Sequence, residues 1–282
     1  MLRKVKMTKN IKLVAIDLDG TLLTSDKKVT ENTINTLQKV VEQGVIVVIA
    51  TGRPLLGLDT VIQKVPRSPY LLTTNGARIV NTQTGEVILE KLIPHEVVLD
   101  IFEVLRKYDC VKEIFYKGQG YVDAEEFERI HLYHMKPEMI DYFQKTRKPT
   151  PHLMDYIKQT KGNADKAQAI FRDMKVREQV WKALDDLKTL NLADSLHYNI
   201  EINAKGVEKG SSLEVLANRL GLLPEEVMAI GDGANDVRML EVAGRGVAMG
   251  NAKEEIQRVA DVVTASNDED GVAKALEQYV LA

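Results

Sequence analysis

The stretch VAIDLDGTLL, residues 14 to 23, begins as an apolar run and then changes abruptly to acids. Asp17 and Asp19 lie one residue apart and are followed by Gly20 and Thr21. The apolar part is typical of a buried strand, and the acids stand where that strand would end. Two carboxylates this close repel each other unless a cation lies between them. The strand end is therefore a candidate site.

The segments around this stretch alternate between apolar strands and amphipathic helices. Strands are predicted at 11–16 and 45–50, and the helix between them, 30–44, has Thr30 to cap it and Gly44 to end it. The same alternation resumes after residue 200, and it predicts a doubly wound α/β domain with a parallel sheet. The later helices are predicted at 211–220, 235–243, 252–259 and 270–280, and the later strands at 227–231, 246–249 and 260–264.

Composition indicates a second domain inside the first. All five Phe, all five His, the only Trp and seven of the nine Tyr lie between residues 91 and 200, whereas fifteen of the eighteen Gly lie outside. We therefore expect residues 1–90 and 201–282 to form the α/β core and 91–200 to form an inserted α+β cap domain. In the insert, helices are predicted near 95–107, 137–146 and 176–188, and β-like pieces near 112–123 and 195–202.

Charge and hydropathy exclude several classes of partner. The 38 basic residues nearly balance the 41 acidic ones, and a net charge of -3 gives no field that would collect nucleic acid or an anionic membrane. No stretch approaches the roughly 18 apolar residues of a membrane span. Residues 1–10 lack the apolar segment of a secretion signal, and Cys110 is the single cysteine. We expect a cytoplasmic protein; its oligomeric state is left open.

Polar residues follow other predicted strands as well. Thr51 and Gly52 leave the second strand, Asp232 and Asp236 leave a later one in GDGAND, and Lys209 stands just before a helix. Ligands of α/β proteins collect at the carboxyl ends of the strands, so we expect these groups to converge there. Carboxylates at this density favour Mg²⁺ completed by a substrate phosphate, and the lysine would offset negative charge.

The combination of DLDGTL, ATGR, a downstream lysine and GDGAND resembles the haloacid dehalogenase-like hydrolase superfamily. Within it, the chain is similar to the Cof-type phosphatases, which carry a large type IIB cap inserted after an NGA stretch, here 75–77. The motifs cover the two flanks, and the insert matches only in position, size and mixed character. Lys205 is a rival for the lysine role, but Lys209 keeps the family's spacing to the helix that follows.

The resemblance implies a chemistry for these residues. Asp17 would attack phosphorus and form an aspartyl-phosphate, and Asp19 would protonate the leaving alcohol and later deprotonate the hydrolytic water. The implied Mg²⁺ ligands are Asp17, the backbone carbonyl of Asp19, and Asp232, with Asp236 near the metal. The implied phosphate contacts are the Leu18 amide, Thr51, Gly52, Lys209 and Asn235.

The resemblance also implies the class of substrate. We expect hydrolysis of small phosphorylated metabolites, such as sugar phosphates, with neither nucleic acid nor membrane as a partner. Two alternatives remain open. A phosphomutase would use the same aspartyl-phosphate but return the phosphoryl group to a sugar, and a phosphate-sensing regulator would bind without turnover; the intact Asp19 argues against the regulator.

Overall fold

The computed structural model describes residues 10–58, 65–66, 68–133, 135–193 and 196–282. The chain divides into two compact units. The core unit comprises Met1–Gly52, Leu58–Glu90 and Glu208–Ala282, and the inserted unit comprises Arg53–Gly57 and Lys91–Val207. The sequence boundary at residue 200 falls inside a strand, Asn199–Ala204, that pairs with two other strands of the inserted unit. The inserted unit therefore continues to Val207.

The strands are defined by their backbone hydrogen bonds. In chain order they are β1 Leu13–Ile16, β2 Ile46–Ala50, β3 Tyr70–Thr73, β4 Arg78–Asn81, β5 Val87–Glu90, β6 Val111–Tyr116, β7 Gln119–Asp123, β8 Arg147–Thr150, β9 Lys166–Ile170, β10 Leu190–Ala193, β11 Asn199–Ala204, β12 Val227–Gly231, β13 Arg245–Ala248 and β14 Val262–Val263.

The helices alternate with these strands. They are α1 Glu31–Glu42, α2 His95–Leu105, α3 Ala124–Glu128, α4 Pro137–Thr146, α5 Leu153–Thr160, α6 Met174–Asp185, α7 Lys209–Arg219, α8 Val237–Val242, α9 Glu254–Gln257 and α10 Gly271–Tyr279. Across the described ranges, none of the helices has both the length and the apolar character needed to cross a bilayer.

The core unit is built on one mixed sheet. Within the described ranges its strand order is β14-β13-β12-β1-β2-β3-β4-β5. β14 through β3 are parallel, and β4 and β5 are antiparallel additions at one edge. β1 lies between β2, which leads to β3, and β12, which leads to β13, so the strand order reverses direction at β1. β1 therefore lies at the topological switch point, where α/β proteins bind their ligands.

Burial explains why β1 holds the centre of this sheet. All four of its residues are buried, as the apolar run predicts for a strand covered on both faces. The neighbouring helix α1 begins where Thr30 accepts a hydrogen bond from the Thr33 amide, and Gly44 follows it with a left-handed φ of 81°. The predicted doubly wound α/β class is confirmed.

Some predicted boundaries were wrong by a few residues. Helix α7 begins at Lys209 rather than 211, because its first turn contains Gly210, a poor helix former that hides the start of the pattern. The predicted strand 260–264 is only Val262–Val263, and the predicted helix 252–259 is only Glu254–Gln257. The sequence analysis did not predict β3, β4 or β5.

The inserted unit has its own sheet, with helices between its strands. Within the described ranges the strand order is β10-β11-β9-β6-β7-β8, antiparallel except for β7 and β8. The predicted β-like piece 112–123 is the hairpin β6–β7, turned by Lys117 and Gly118, which both have positive φ. The predicted piece 195–202 corresponds to β11, and residue 195 lies outside the described residues. The predicted α+β character of the insert agrees with this arrangement.

One face of this second sheet carries buried charges. Glu113, Gln168 and Glu201 stand in register across β6, β9 and β11. Glu113 accepts hydrogen bonds from Arg147 Nε and, at 3.0 Å, from Gln168 Nε2. Lys166 Nζ lies 2.8 Å from Glu201 Oε1. All five side chains are buried, and the pairing offsets the cost of removing their charges from water.

Breaking one of these buried pairs should destabilise the fold. We expect Arg147→Met to lower the free energy of unfolding by about 3–5 kcal/mol, because it leaves the Glu113 carboxylate buried without its cation. The matched control is Lys145→Met, which breaks an exposed pair with Asp141 and should cost at most about 0.5 kcal/mol. Urea unfolding followed by circular dichroism measures both; equal costs for the two variants would contradict the expectation.

Candidate active site

A buried lysine lies between two aspartates at the end of β1. Lys209, the first residue of α7, places Nζ 2.6 Å from Asp17 Oδ1 and 2.7 Å from Asp236 Oδ1. The Lys209 side chain is fully buried. Burial alone would lower the pKa of Lys209, but the two carboxylates outweigh burial and raise that pKa above its ordinary value. Lys209 is therefore a charged ammonium that joins three segments of the core unit.

Asp236 is held through both of its carboxylate oxygens. Its Oδ2 accepts the backbone N–H groups of Asp232 at 3.0 Å and Gly233 at 2.9 Å, while Oδ1 accepts from Lys209. This arrangement arises because the turn after β12 tightens into a 3₁₀ segment, Ala234–Asp236. The carboxylate thus fixes the shape of the turn that carries Asp232.

Asp232 lies against the loop that follows β1. Thr21 Oγ1 donates to Asp232 Oδ1 at 3.0 Å, and Asn251 Nδ2 lies 3.4 Å from Oδ2. Gly20 has φ +89°, and a Cβ added there would stand 2.4 Å from Asp232 Oδ2. The DGT turn therefore requires glycine both for its backbone conformation and for the space beside Asp232.

The carboxylates of this cluster exceed the positive charge. Asp17, Asp232 and Asp236 offer oxygens within 4.8 Å of one another, and Lys209 is the ammonium among them. Burial first, and then the Asp236 charge, raise the pKa of Asp17 well above its ordinary value and that of Asp232 to about 6, while Lys209 acts in the opposite direction. Three oxygen donors with two excess negative charges fit a divalent, oxygen-preferring cation such as Mg²⁺.

The Asp19 side chain pairs with a lysine outside this cluster of three carboxylates. Its Oδ1 pairs with Lys27 Nζ at 2.8 Å, and about a third of each side chain is exposed. The residue between the two acids, Leu18, is fully buried, and its carbonyl accepts from the Leu23 amide at 2.9 Å. The two acids of the DxD motif thus occupy different environments, one buried and one accessible, as two different roles would require.

Asn75, which was not predicted as a site residue, links two of the predicted phosphate contacts, Asn235 and Thr51. Asn235 Nδ2 donates to Asn75 Oδ1 at 3.1 Å, and the Asn75 amide donates to the Thr51 carbonyl at 3.0 Å. Gly52 follows Thr51 directly. Lys205, the rival lysine, donates to the Lys188 carbonyl within the inserted unit and does not belong to the cluster.

Sequence reasoning missed the residues that support this site. Thr21, Lys27 and Asn251 were not singled out, because a polar side chain in a loop gives no sign of its partner. The NGA stretch beginning at Asn75 was noted only as a landmark for the insert. Its position just after the end of β3 is the signal that could have identified it.

The family profile of the haloacid dehalogenase-like hydrolases matches residues 14–276. A 5-amino-6-(5-phospho-D-ribitylamino)uracil phosphatase of Bacillus subtilis is 32% identical over 272 residues, covering 96% of this chain and 97% of its own.

Solved structures agree with the family. A haloacid dehalogenase-like hydrolase from B. subtilis has a TM-score of 0.85 against this chain at 29% identity, and the match covers 95% of this chain and 99% of its own. A sugar phosphatase of haloacid dehalogenase subclass IIB has a TM-score of 0.79 at 25% identity, covering 96% of this chain and 100% of its own. The resemblance predicted from the motifs is confirmed: the chain belongs to the haloacid dehalogenase-like hydrolases.

Proposed function

We propose that this protein is a Mg²⁺-dependent phosphatase that hydrolyses small phosphorylated metabolites through an aspartyl-phosphate on Asp17. The observation that carries the proposal is the cluster of Asp17, Asp232 and Asp236, two of which pair with the buried Lys209, at the switch point of the core sheet. Family membership and the phosphatase names of the relatives support it.

In the first step, a carboxylate oxygen of Asp17 attacks phosphorus and the bond to the leaving oxygen breaks. Lys209 holds the Asp17 carboxylate in place and supplies positive charge beside the transferring phosphoryl group. Thr51, Gly52, Asn235 and the Leu18 amide would orient the phosphate oxygens. Phosphoryl transfer depends mostly on such positioning and charge stabilisation.

Asp19 would transfer the protons. As the P–O bond breaks, its carboxyl group donates a proton to the leaving alcohol; it then accepts one from the water that hydrolyses the acyl phosphate. Partial exposure suits this role, because the group must reach both alcohol and water. Proton transfer of this kind contributes about 10²–10⁴ in rate.

Asp17, Asp232 and the Asp19 backbone carbonyl would hold Mg²⁺, with Asp236 close to it, either as a direct ligand or through water. Bound there, Mg²⁺ would neutralise the excess charge of the cluster and that of the phosphoryl oxygens. The chain's own contribution is to fix the donors beforehand: Thr21 orients Asp232, and the turn amides orient Asp236.

A screen for phosphate release tests the activity. We expect the wild type to release inorganic phosphate from small phosphate monoesters with Mg²⁺ and to stop in excess chelator. Asp17→Asn should lower the rate by about 10³-fold or more, because an amide is not a nucleophile.

The control variant is Asp100→Asn, which changes an exposed helix residue and should keep wild-type activity. Isomerised product without free phosphate would instead indicate a phosphomutase, and phosphate binding without turnover would indicate a regulator. Asp17→Asn activity within tenfold of wild type would remove Asp17 from the mechanism.

The metal proposal predicts a pH-dependent stability. In the metal-free protein the pKa of Asp232 is raised from 3.8 to about 6, so the folded state binds a proton more tightly than the unfolded state. Ionised Asp232 therefore destabilises the fold, an effect absent below about pH 4 and complete above about pH 6.

We expect Asp232→Asn to raise the free energy of unfolding in chelator at pH 7 by on the order of 1 kcal/mol or more, and to have little effect near pH 4. Adding Mg²⁺ should stabilise the wild type and not the variant. Thermal denaturation at the two pH values measures this, with Asp100→Asn as control. A variant less stable than wild type at pH 7 in chelator would refute it.

The proposal also predicts a preference for small substrates. Asp17 is only 5% exposed, so we expect a phosphoryl group on a small molecule to reach it more readily than one on the surface of a folded protein. We expect kcat/KM for a sugar phosphate to exceed that for a folded phosphoprotein by at least about 10²-fold. Phosphate release from both, measured with one enzyme preparation, decides the point; equal values would refute the preference.

A further inference from the structure

The turn between β3 and β4 adopts a backbone conformation that costs energy. Thr74, Asn75 and Gly76 have consecutive φ values of 57°, 60° and 92°, all in the left-handed region. Asparagine and glycine tolerate this region, but a β-branched threonine rarely does. Thr74 and Asn75 are also almost completely buried. Such strain persists where the surrounding structure requires it, often beside a functional site.

This turn contacts three segments, each of which carries a predicted phosphate contact. The Asn75 amide donates to the Thr51 carbonyl at 3.0 Å. The Asn75 side-chain oxygen accepts from Asn235 Nδ2 at 3.1 Å. The third segment is the start of α7, where Lys209 lies.

The contact with α7 is unusually close. Ser212 Oγ donates to the Gly76 carbonyl at 2.6 Å. A Cβ added to Gly76 would lie 2.5 Å from Ser212 Oγ and 2.8 Å from the Glu208 carbonyl, the residue before Lys209. Gly76 therefore packs the turn against the helix that supplies the lysine, while Asn75 makes the contacts with the other two segments.

The direction of the Asn235–Asn75 hydrogen bond has a chemical consequence. An Asn side chain has one carbonyl oxygen and one NH₂ group with two hydrogens. Because Asn75 accepts one of those hydrogens, the NH₂ end of Asn235 is fixed and its second hydrogen can be donated to an anion. A rotated Asn235 would present its carbonyl oxygen instead, which a phosphate repels.

We propose that Asn75 is a positioning residue that orients the Asn235 amide to donate to the substrate phosphate. This inference rests on the proposed function, since it deepens the phosphate site of that reaction. The strained turn would fix the Asn75 backbone to Thr51 and direct the Asn75 side-chain oxygen to Asn235.

The test variant is Asn75→Gly, which keeps a residue suited to the left-handed backbone and removes only the side chain. With Mg²⁺ present, we expect the Kd of inorganic phosphate and the KM for p-nitrophenyl phosphate to rise about tenfold, the size expected for one lost hydrogen bond. kcat should change less than threefold, because the contact is made equally in ground and transition states.

The matched control is Asn81→Gly. Asn81 lies in the same unit and its side chain accepts from the Gln83 and Thr84 amides, away from the site. This variant should leave both the phosphate Kd and KM unchanged. A tenfold rise in the control would show that the effect reports general loosening of the unit and would overturn the proposal.

A double-mutant cycle separates positioning from a direct or purely structural role. If Asn75 acts through Asn235, Asn75→Gly/Asn235→Ala should bind phosphate no worse than Asn235→Ala alone. If the double variant instead raises the phosphate Kd by the product of the two single-variant factors, the proposal is overturned. If Asn75→Gly does not fold, Asn75→Asp keeps the acceptor oxygen, and Asn235→Ala should then cost the same factor in that background as in wild type; a smaller factor would overturn the proposal.

Failure of the inference is distinguishable from failure of the proposed function. A wild type that hydrolyses phosphate esters while Asn75→Gly matches it would refute the positioning role alone. A wild type that neither hydrolyses phosphate esters nor binds phosphate would refute both.

Discussion

The ammonium of Lys209, buried between Asp17 and Asp236, is the interaction on which the core unit depends. Lys209 is separated in the chain from Asp17 by 192 positions and from Asp236 by 27 positions. Removing one partner of a buried ion pair typically costs about 3–5 kcal/mol, because the remaining charge has neither water nor a counterion. The end of β1, the turn after β12 and the start of α7 are therefore held in one arrangement before any substrate arrives.

This arrangement also determines where charge remains unbalanced. Asp236 is paired with Lys209 and two turn amides, whereas a hydroxyl and a side-chain amide lie against Asp232. Burial first, and then repulsion by the Asp236 charge, raise the pKa values of Asp17 and Asp232. A divalent cation at these oxygens would remove the penalty, so the same geometry that stores repulsion in the metal-free protein favours metal binding.

The sequence predicted this cluster because its three acids follow strand ends, parallel strands end at one edge, and Lys209 stands just before a helix at the spacing that the resemblance implies. Asp17, Lys209, Asp232 and Asp236 could be found in that way, together with the α/β class. Their supporting residues could not: Thr21, Lys27 and Asn75 owe their importance to partners far away in the chain. Strand β9 of the inserted unit was missed for a different reason. Its Lys166 and Gln168 are buried, so the usual assignment of polar positions to solvent gives no strand pattern there.

Both units bury charged side chains, but the balance of acidic and basic groups differs between them. In the inserted unit, Glu113 and Glu201 face Arg147 and Lys166, so acids and bases are equal in number and hold the sheet face without any added ion. In the core unit, three carboxylates lie close together and one ammonium, Lys209, pairs with two of them. A structural network gains nothing from excess charge, since every unpaired carboxylate costs desolvation energy. Excess negative charge is advantageous where a cation is to be bound, which supports the proposed metal site of the core unit, whereas the balanced pairs of the inserted unit hold its sheet face.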